Sequence, residues 1–155
     1  MQQNTGSSAI DCAHVPSPLR AERAHAPFVE QLPSDQELVL KVIPMPADCN
    51  ANGDIFGGWV MAQVDLAGSV LPARHVRGRY VTVAVNQFVF KQPVRVGDIL
   101  SFLARVDRIG NTSITVAVEV FAERFSEQGR YIKVTQANLT YVAVDDKGRP
   151  RPIAP

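Results

Sequence analysis

The chain has 155 residues, 46% of them apolar and 20% charged, which suits one globular domain with a single core and excludes two. Its 16 Lys+Arg against 15 Asp+Glu leave a net charge of +1, so neither nucleic acid nor an acidic membrane surface is an expected partner. The two cysteines, Cys12 and Cys49, lie at no metal-like spacing; no metal site and no structural disulfide is expected, and a reducing, cytoplasmic compartment fits.

Residues 1–36 hold Pro16, Pro18, Pro27 and Pro33 among scattered charges, without sustained periodicity, and read as a disordered N-terminal extension. His14 and His25 are solvent-facing in that reading. The first residues carry no positive charge and no apolar core follows them, which is not a signal-peptide pattern. Order is expected from residue 37, with a short strand over 37–43 that stops at Pro44 and Pro46. Residues 47–54 are rich in Asp, Asn and Gly, the residues that accept turn geometry.

After Gly57 and Gly58 comes an apolar run over 59–71. Its length and its Ala, Met, Leu and Gln content predict a helix, with Pro72 as its stop. Residues 55–73 contain one ionisable group, Asp65, together with three glycines. A carboxylate in the middle of a membrane span costs roughly 2.5–3.5 kcal/mol on insertion scales, so the segment reads as a helix buried in protein.

From Tyr80 the pattern turns β-branched and aromatic. Strands are predicted over 80–90, 99–109, 112–121 and 131–144. Leu100, Phe102, Ala104 and Val106 share one face, as do Ile114, Val116, Val118 and Val120. Gly110 and Asn111 join those two strands as a tight hairpin. The folded domain is expected to end near residue 147, with a polar tail over 148–155. A helix segregated from a run of strands predicts an α+β fold with an antiparallel sheet. Because the helix is apolar on nearly all sides, one strongly curved sheet wrapped around it is the expected architecture.

Asp65 is the residue most open to a chemical reading. It is the only ionisable group between Asp54 and Arg74, on a helix expected to be buried, where an unpaired carboxylate is costly. Gly58, Met61, Ala62, Gly68 and Ser69 lie one or two turns away on its face, leaving room for something to approach. A buried Asp satisfied by backbone amides or by an Arg accounts for the pattern equally well. Gly57 and Gly58 at the helix entry would leave amides open to a developing oxyanion, or make a tight turn. No Gly-x-Ser-x-Gly elbow or His-Glu-x-x-His motif occurs, and His75 falls in a loop just past the helix.

The segment over 45–59, centred on Asn50-Ala-Asn-Gly-Asp-Ile-Phe-Gly-Gly-Trp59, resembles the signature of YciA-type acyl-CoA thioesterases. The similarity continues through residues 61–68, 79–85, 93–98, 110–114 and 141–145, and so covers about 37–152. It implies the hotdog fold, an antiparallel sheet around a long central helix, paired into double-hotdog dimers and assembled as a trimer of dimers. Asp65 then matches the catalytic Asp. Asn50 matches the catalytic-loop Asn, which meets that Asp from the opposite subunit. Gly57 and Gly58 match the glycines that polarise the thioester carbonyl. Gly110, Thr112 and Ser113 match a segment that binds CoA phosphate or pantetheine. Asn86 stands where the family has an acidic residue that bears on acyl or CoA contacts, and Lys91, Arg74, Arg79 and Arg108 are candidates for the CoA phosphates. The substrate implied is acyl-CoA, with no separate cofactor. Asp65 would act as general base on water or as a nucleophile forming a mixed anhydride.

Two other functions fit the same fold. A dehydratase or hydratase would need a His beside a carboxylate, and residues 45–70 contain none. A non-catalytic acyl-CoA sensor would keep the glycines and the pocket without needing Asp65.

Overall fold

The computed structural model describes residues 27–153. The alternating segments become five strands, β1 (Glu37–Val42), β2 (Tyr80–Phe90), β3 (Ile99–Ile109), β4 (Ser113–Glu123) and β5 (Tyr131–Ala143). They form one antiparallel sheet in the order β1-β3-β4-β5-β2. β2 is therefore an edge strand beside β5, and its link to β3 crosses the end of the sheet; the hairpin-like succession holds only for β3, β4 and β5. The inner positions Leu100, Phe102, Ile114, Val116, Val118 and Val120 are fully buried, as their alternation requires.

Between β1 and β2 lie a 3-10 turn (Pro46–Asp48), helix α1 (Gly57–Ser69) and the short α2 (Pro72–His75). Pro72 opens α2 at its first turn, where its missing N–H removes nothing, and His75 is exposed in that helix rather than in a loop. α1 lies across the inner face with Val60, Val64, Ala67 and Gly68 buried. Gly68 allows the close approach, since a Cβ there would sit 2.5 Å from the Tyr141 hydroxyl and 3.3 Å from Leu139.

The sheet does not enclose the helix. Met61, Ala62, Asp65 and Leu66 on its other side are exposed, Leu66 by 59% and Met61 by 44%. Five strands span about 20 Å, enough to floor a helix roughly 10 Å thick and too little to surround it. The expectation of a buried Asp65 therefore fails for the single chain. The edge strand is left in the same condition, with Val81, Val83, Val85, Val89 and Phe90 exposed.

Both ends of the folded unit differ from expectation. Residues 27–36 are tied to the sheet: Val29 exchanges backbone hydrogen bonds of 2.8 Å with Tyr131, and the Arg130 guanidinium stacks 4.7 Å from the Phe28 ring. Gln36 then reaches Glu119 on the face turned away from α1. Residues 148–153 are docked as well, by Arg151 N to Ala143 O at 2.9 Å and Ile153 N to Asn111 O at 2.8 Å. Ile153 packs on the core, which the polar Asp146–Gly148 turn before it concealed. The reading of residues 1–26, with His14, His25 and Cys12, lies outside the described residues. Among the described residues no helix is long and apolar enough to cross a membrane.

Candidate active site

α1 runs antiparallel to β2 along its inner face, and three contacts set their register. A Cβ on Gly57 would lie 3.1 Å from the Phe90 ring, Thr82 Oγ1 donates to Asp65 Oδ1 at 2.9 Å, and Tyr80 Oη donates to Ser69 O at 2.9 Å. Asp65 is thus held at the middle of an open helix face by a hydroxyl from the edge strand. Tyr141 Oη donates to the Asp65 carbonyl from below at 3.2 Å. Burial, and then the neighbouring Asp65 charge, push the Tyr141 phenol well above its usual range, so it keeps its proton and stays a donor.

The helix entry is built by a small closed loop. Asn50 N donates to Asp54 O at 2.8 Å, and Asn50 Oδ1 accepts from Asn52 N at 2.8 Å and from Asp54 N at 3.3 Å. This is an Asx-type turn, completed by Gly53 at φ 78°. It fixes the Asn50 amide plane through the two bonds that Oδ1 accepts. Phe56 caps α1 without a side-chain hydrogen bond, and Val60 N to Phe56 O at 3.2 Å is the first bond of the helix. The N–H groups of Gly57, Gly58 and Trp59 come before it and form a ready anion site. Gly58 is exposed, and a Cβ there would have nothing within 4 Å. Nothing within the single chain requires a glycine at that position.

The expected site residues fall into three groups. Asn50, Gly57 and Gly58 are together at the helix entry, and exposed Lys91 follows Phe90 at the same end, its N–H bonded to Val134 O at 2.8 Å. Asp65 lies about 12 Å along the helix axis from Gly57, at 1.5 Å per residue. Gly110, Thr112 and Ser113 sit at the opposite end of the sheet, where Thr112 O accepts from Ala143 N at 2.9 Å beside the start of β2.

Asn86 joins none of these groups. A bulge at Val83 shifts β2 by one residue, so that Val85 faces buried Leu139 and Asn86 faces Asn138, on the side away from α1. A second bulge follows at Gln87, whose φ is 53° and whose Oε1 accepts from Asn138 Nδ2 at 3.2 Å. Of the basic candidates, Arg74 is engaged with Glu37 in a bidentate pair at 2.6 and 2.7 Å, whereas Arg79 lies beside the Thr112 end. Thr82 escaped the sequence reading, because a strand Thr carries no sign of the helix it faces.

The thioesterase superfamily model matches residues 52–125, the span from the Asn50 loop to the end of β4. The acyl-CoA thioester hydrolase YciA of Salmonella typhimurium is 47% identical over 119 residues, 76% of this chain and 90% of its own length. The chain belongs to the thioesterase superfamily, with the YciA-type acyl-CoA thioester hydrolases. The YciA protein of Escherichia coli K12 is 45% identical over 74% of this chain and 89% of its own. Among solved structures, the hexameric thioesterase y2039 from Yersinia pestis is similar at 47% identity with a TM-score of 0.73, covering 80% of this chain and 99% of that one. The sheet floored beneath α1 is thus the hotdog fold of this superfamily, and Asp65 is the one ionisable group on its central helix.

Proposed function

We propose that the protein hydrolyses the thioester of acyl-CoA to a free fatty acid and CoA, in a site shared between two copies of the chain. The observation that carries this reading is a carboxylate held ready by Thr82 on an apolar helix face, out of reach of the open amides that would serve it within one protomer. An enzyme with this geometry needs a second copy.

The edge strand says how that copy would sit. If β2 pairs antiparallel with β2 of a partner about a two-fold axis near residue 86, the level of Thr82 in one copy meets the level of Phe90 in the other. Asp65 of one copy then arrives beside Gly57 and Gly58 of the other, because Thr82 holds Asp65 and Phe90 covers Gly57. The same step buries the exposed face of α1 and pairs the open edge of β2. A dimer is the active unit in this reading, and a trimer of dimers follows the hexameric relatives. A cytoplasmic location follows the cysteine usage.

In the reaction, the thioester carbonyl lies at the helix entry with its oxygen toward the Gly57 and Gly58 amides. Asp65 takes a proton from water as the water oxygen bonds to the carbonyl carbon. The oxyanion is held by the helix-end amides, with Asn50 Nδ2 orienting the water or the carbonyl. The C–S bond then breaks, and CoA leaves as its thiol with the proton returned from Asp65. The pantetheine and phosphates lie toward Gly110, Thr112 and Ser113 and the basic groups beside them.

Release of CoA, followed colorimetrically over a panel of acyl chain lengths, tests this directly. Asp65→Asn keeps the acceptor for Thr82 and removes the base, so kcat should fall by about 10²–10⁴-fold in an intact assembly. A soluble, assembled Asp65→Asn protein with near-full activity would sink the assignment. Binding without turnover by the unaltered protein would instead mark a sensor. Single turnover in water enriched in heavy oxygen should label the fatty acid alone, and label recovered in Asp65 would mark direct carboxylate attack.

A further inference from the structure

The end of the sheet beneath the helix entry contains a buried ion pair that the reaction does not use. Asp98 precedes β3 and Arg124 follows β4; they are exposed by only 2% and 9%. Arg124 Nη1 donates to Asp98 Oδ2, and Arg124 Nη2 donates to Pro93 O at 2.9 Å. The same Asp98 oxygen accepts from Arg95 N at 2.8 Å. Both neighbours of Val94 in the chain are therefore held, and Val94 O accepts from Ile55 N at 2.9 Å.

Ile55 closes the loop that carries Asn50. It bridges back to Cys49, next to Asn50, and it stands two residues before Gly57. Asp54 beside it has a buried Oδ1 with no hydrogen-bond partner among the described residues, and its charge is one of those that act on Arg124. The loop and the helix entry thus hang on a three-residue strip, Pro93 to Arg95, that the guanidinium fixes from below.

We propose that Arg124 is a positioning residue of the thioesterase site: forked between Asp98 and the Pro93 carbonyl, it sets the strip that places Asn50 and the Gly57–Gly58 amides. Ion pairs of this kind are seldom needed for stability, since apolar replacements are often neutral. The fork is what the site needs, because a lysine ammonium at the same place cannot hold both acceptors in one plane. The proposal rests on the thioesterase reading for its rate consequence, and on the fold alone for its structural consequence.

The test uses Arg124→Lys and the pair Asp98→Asn with Arg124→Met, which removes both charges and keeps an acceptor for Arg95 N. Two readouts are taken, the kcat and KM of acyl-CoA hydrolysis and the fluorescence of Trp59, the only tryptophan, in the first turn of α1. Both variants should fold and assemble, with kcat lower by about 10- to 100-fold and KM within about threefold. Trp59 emission and its quenching by acrylamide should change well below the melting transition. Either variant with unaltered kcat and unaltered Trp59 signal would overturn the proposal. So would a uniform loss of stability with normal kcat in the folded fraction, which is what a merely structural pair predicts. If the unaltered protein releases no CoA, the functional reading fails, while the Trp59 comparison still decides whether Arg124 positions the helix entry.

Discussion

Gly58→Ala separates the needs of the fold from those of the reaction by a single methyl group. In the protomer a Cβ at position 58 meets nothing within 4 Å, and the backbone there is helical, so alanine introduces neither clash nor strain. Replacing a helical glycine by alanine favours the helix by up to about 1 kcal/mol, less in a first turn, so the protomer should be unchanged or slightly more stable. In the proposed site the methyl group would stand in the way of a thioester carbonyl approaching the Gly57, Gly58 and Trp59 amides. Alanine keeps the N–H, so the effect is steric: a methyl group that holds the carbonyl oxygen off one of these amides should cost what loss of one oxyanion donor costs, about 10²–10³-fold in kcat.

The assay is CoA release at saturating acyl-CoA, with chemical denaturation and size-exclusion chromatography at a fixed protomer concentration, because stability and assembly are linked. The expected outcome is a stable, assembled and nearly inactive protein. Full kcat in an intact assembly would refute the placement of the oxyanion at this helix end. A collapse of the assembly would mean instead that the glycine serves packing between copies.

Thr82→Val keeps the shape of the side chain and removes the donor to Asp65 Oδ1. A hydrogen bond to a charged group contributes about 1.5–3 kcal/mol, so kcat should fall by about 10- to 100-fold with the fold intact, measured in the same assay. Gly68→Ala should act in the opposite sense to Gly58→Ala. Its Cβ would lie 2.5 Å from Tyr141 Oη, so despite the gain in helix propensity denaturation should show a loss of about 1–3 kcal/mol; unchanged stability would contradict the packing described for α1 on β5.

How much of this was readable from residues alone depends on the range of the physics involved. The strands β3, β4 and β5 followed from period-two alternation, which is local, and their limits agree with the structure to within a residue or two. Asp65 was visible because one charge on an apolar helix is a local anomaly. Its exposure was not visible, because a helix apolar on all sides looks the same whether its own sheet or a second chain covers it. Asn86 was named from the family resemblance alone, and its turn to the side away from α1 follows from one extra residue at Val83, a bulge that leaves no mark in the sequence. Thr82 and the Asp98–Arg124 pair depend on which strand ends meet, a property of topology. The ends of the folded unit were hidden by prolines and polar turns that lie beside, and not in place of, the residues that dock, Phe28, Val29 and Ile153.

An open helix face, an unpaired edge strand and a carboxylate about 12 Å from its oxyanion end are three incomplete features that one two-fold contact would complete together. That makes the shared site testable without a structure of the assembly. Asp65→Asn and Asn50→Ala should each be inactive when prepared alone. If Asp65 and Asn50 act from opposite copies, a dimer of one variant with the other contains one site with both residues intact and one site lacking both. Random reassociation of equal amounts makes half the dimers mixed, so activity should return to about one quarter of that of the unaltered protein. If both residues of a site come from the same chain, every site in the mixture lacks one of them and no activity returns. The mixture, prepared by co-expression or by joint refolding and assayed for CoA release, therefore gives opposite answers for the two arrangements. The absence of recovery, with mixed dimers demonstrated by mass spectrometry, would refute the shared site even if Asp65 proved to be the base.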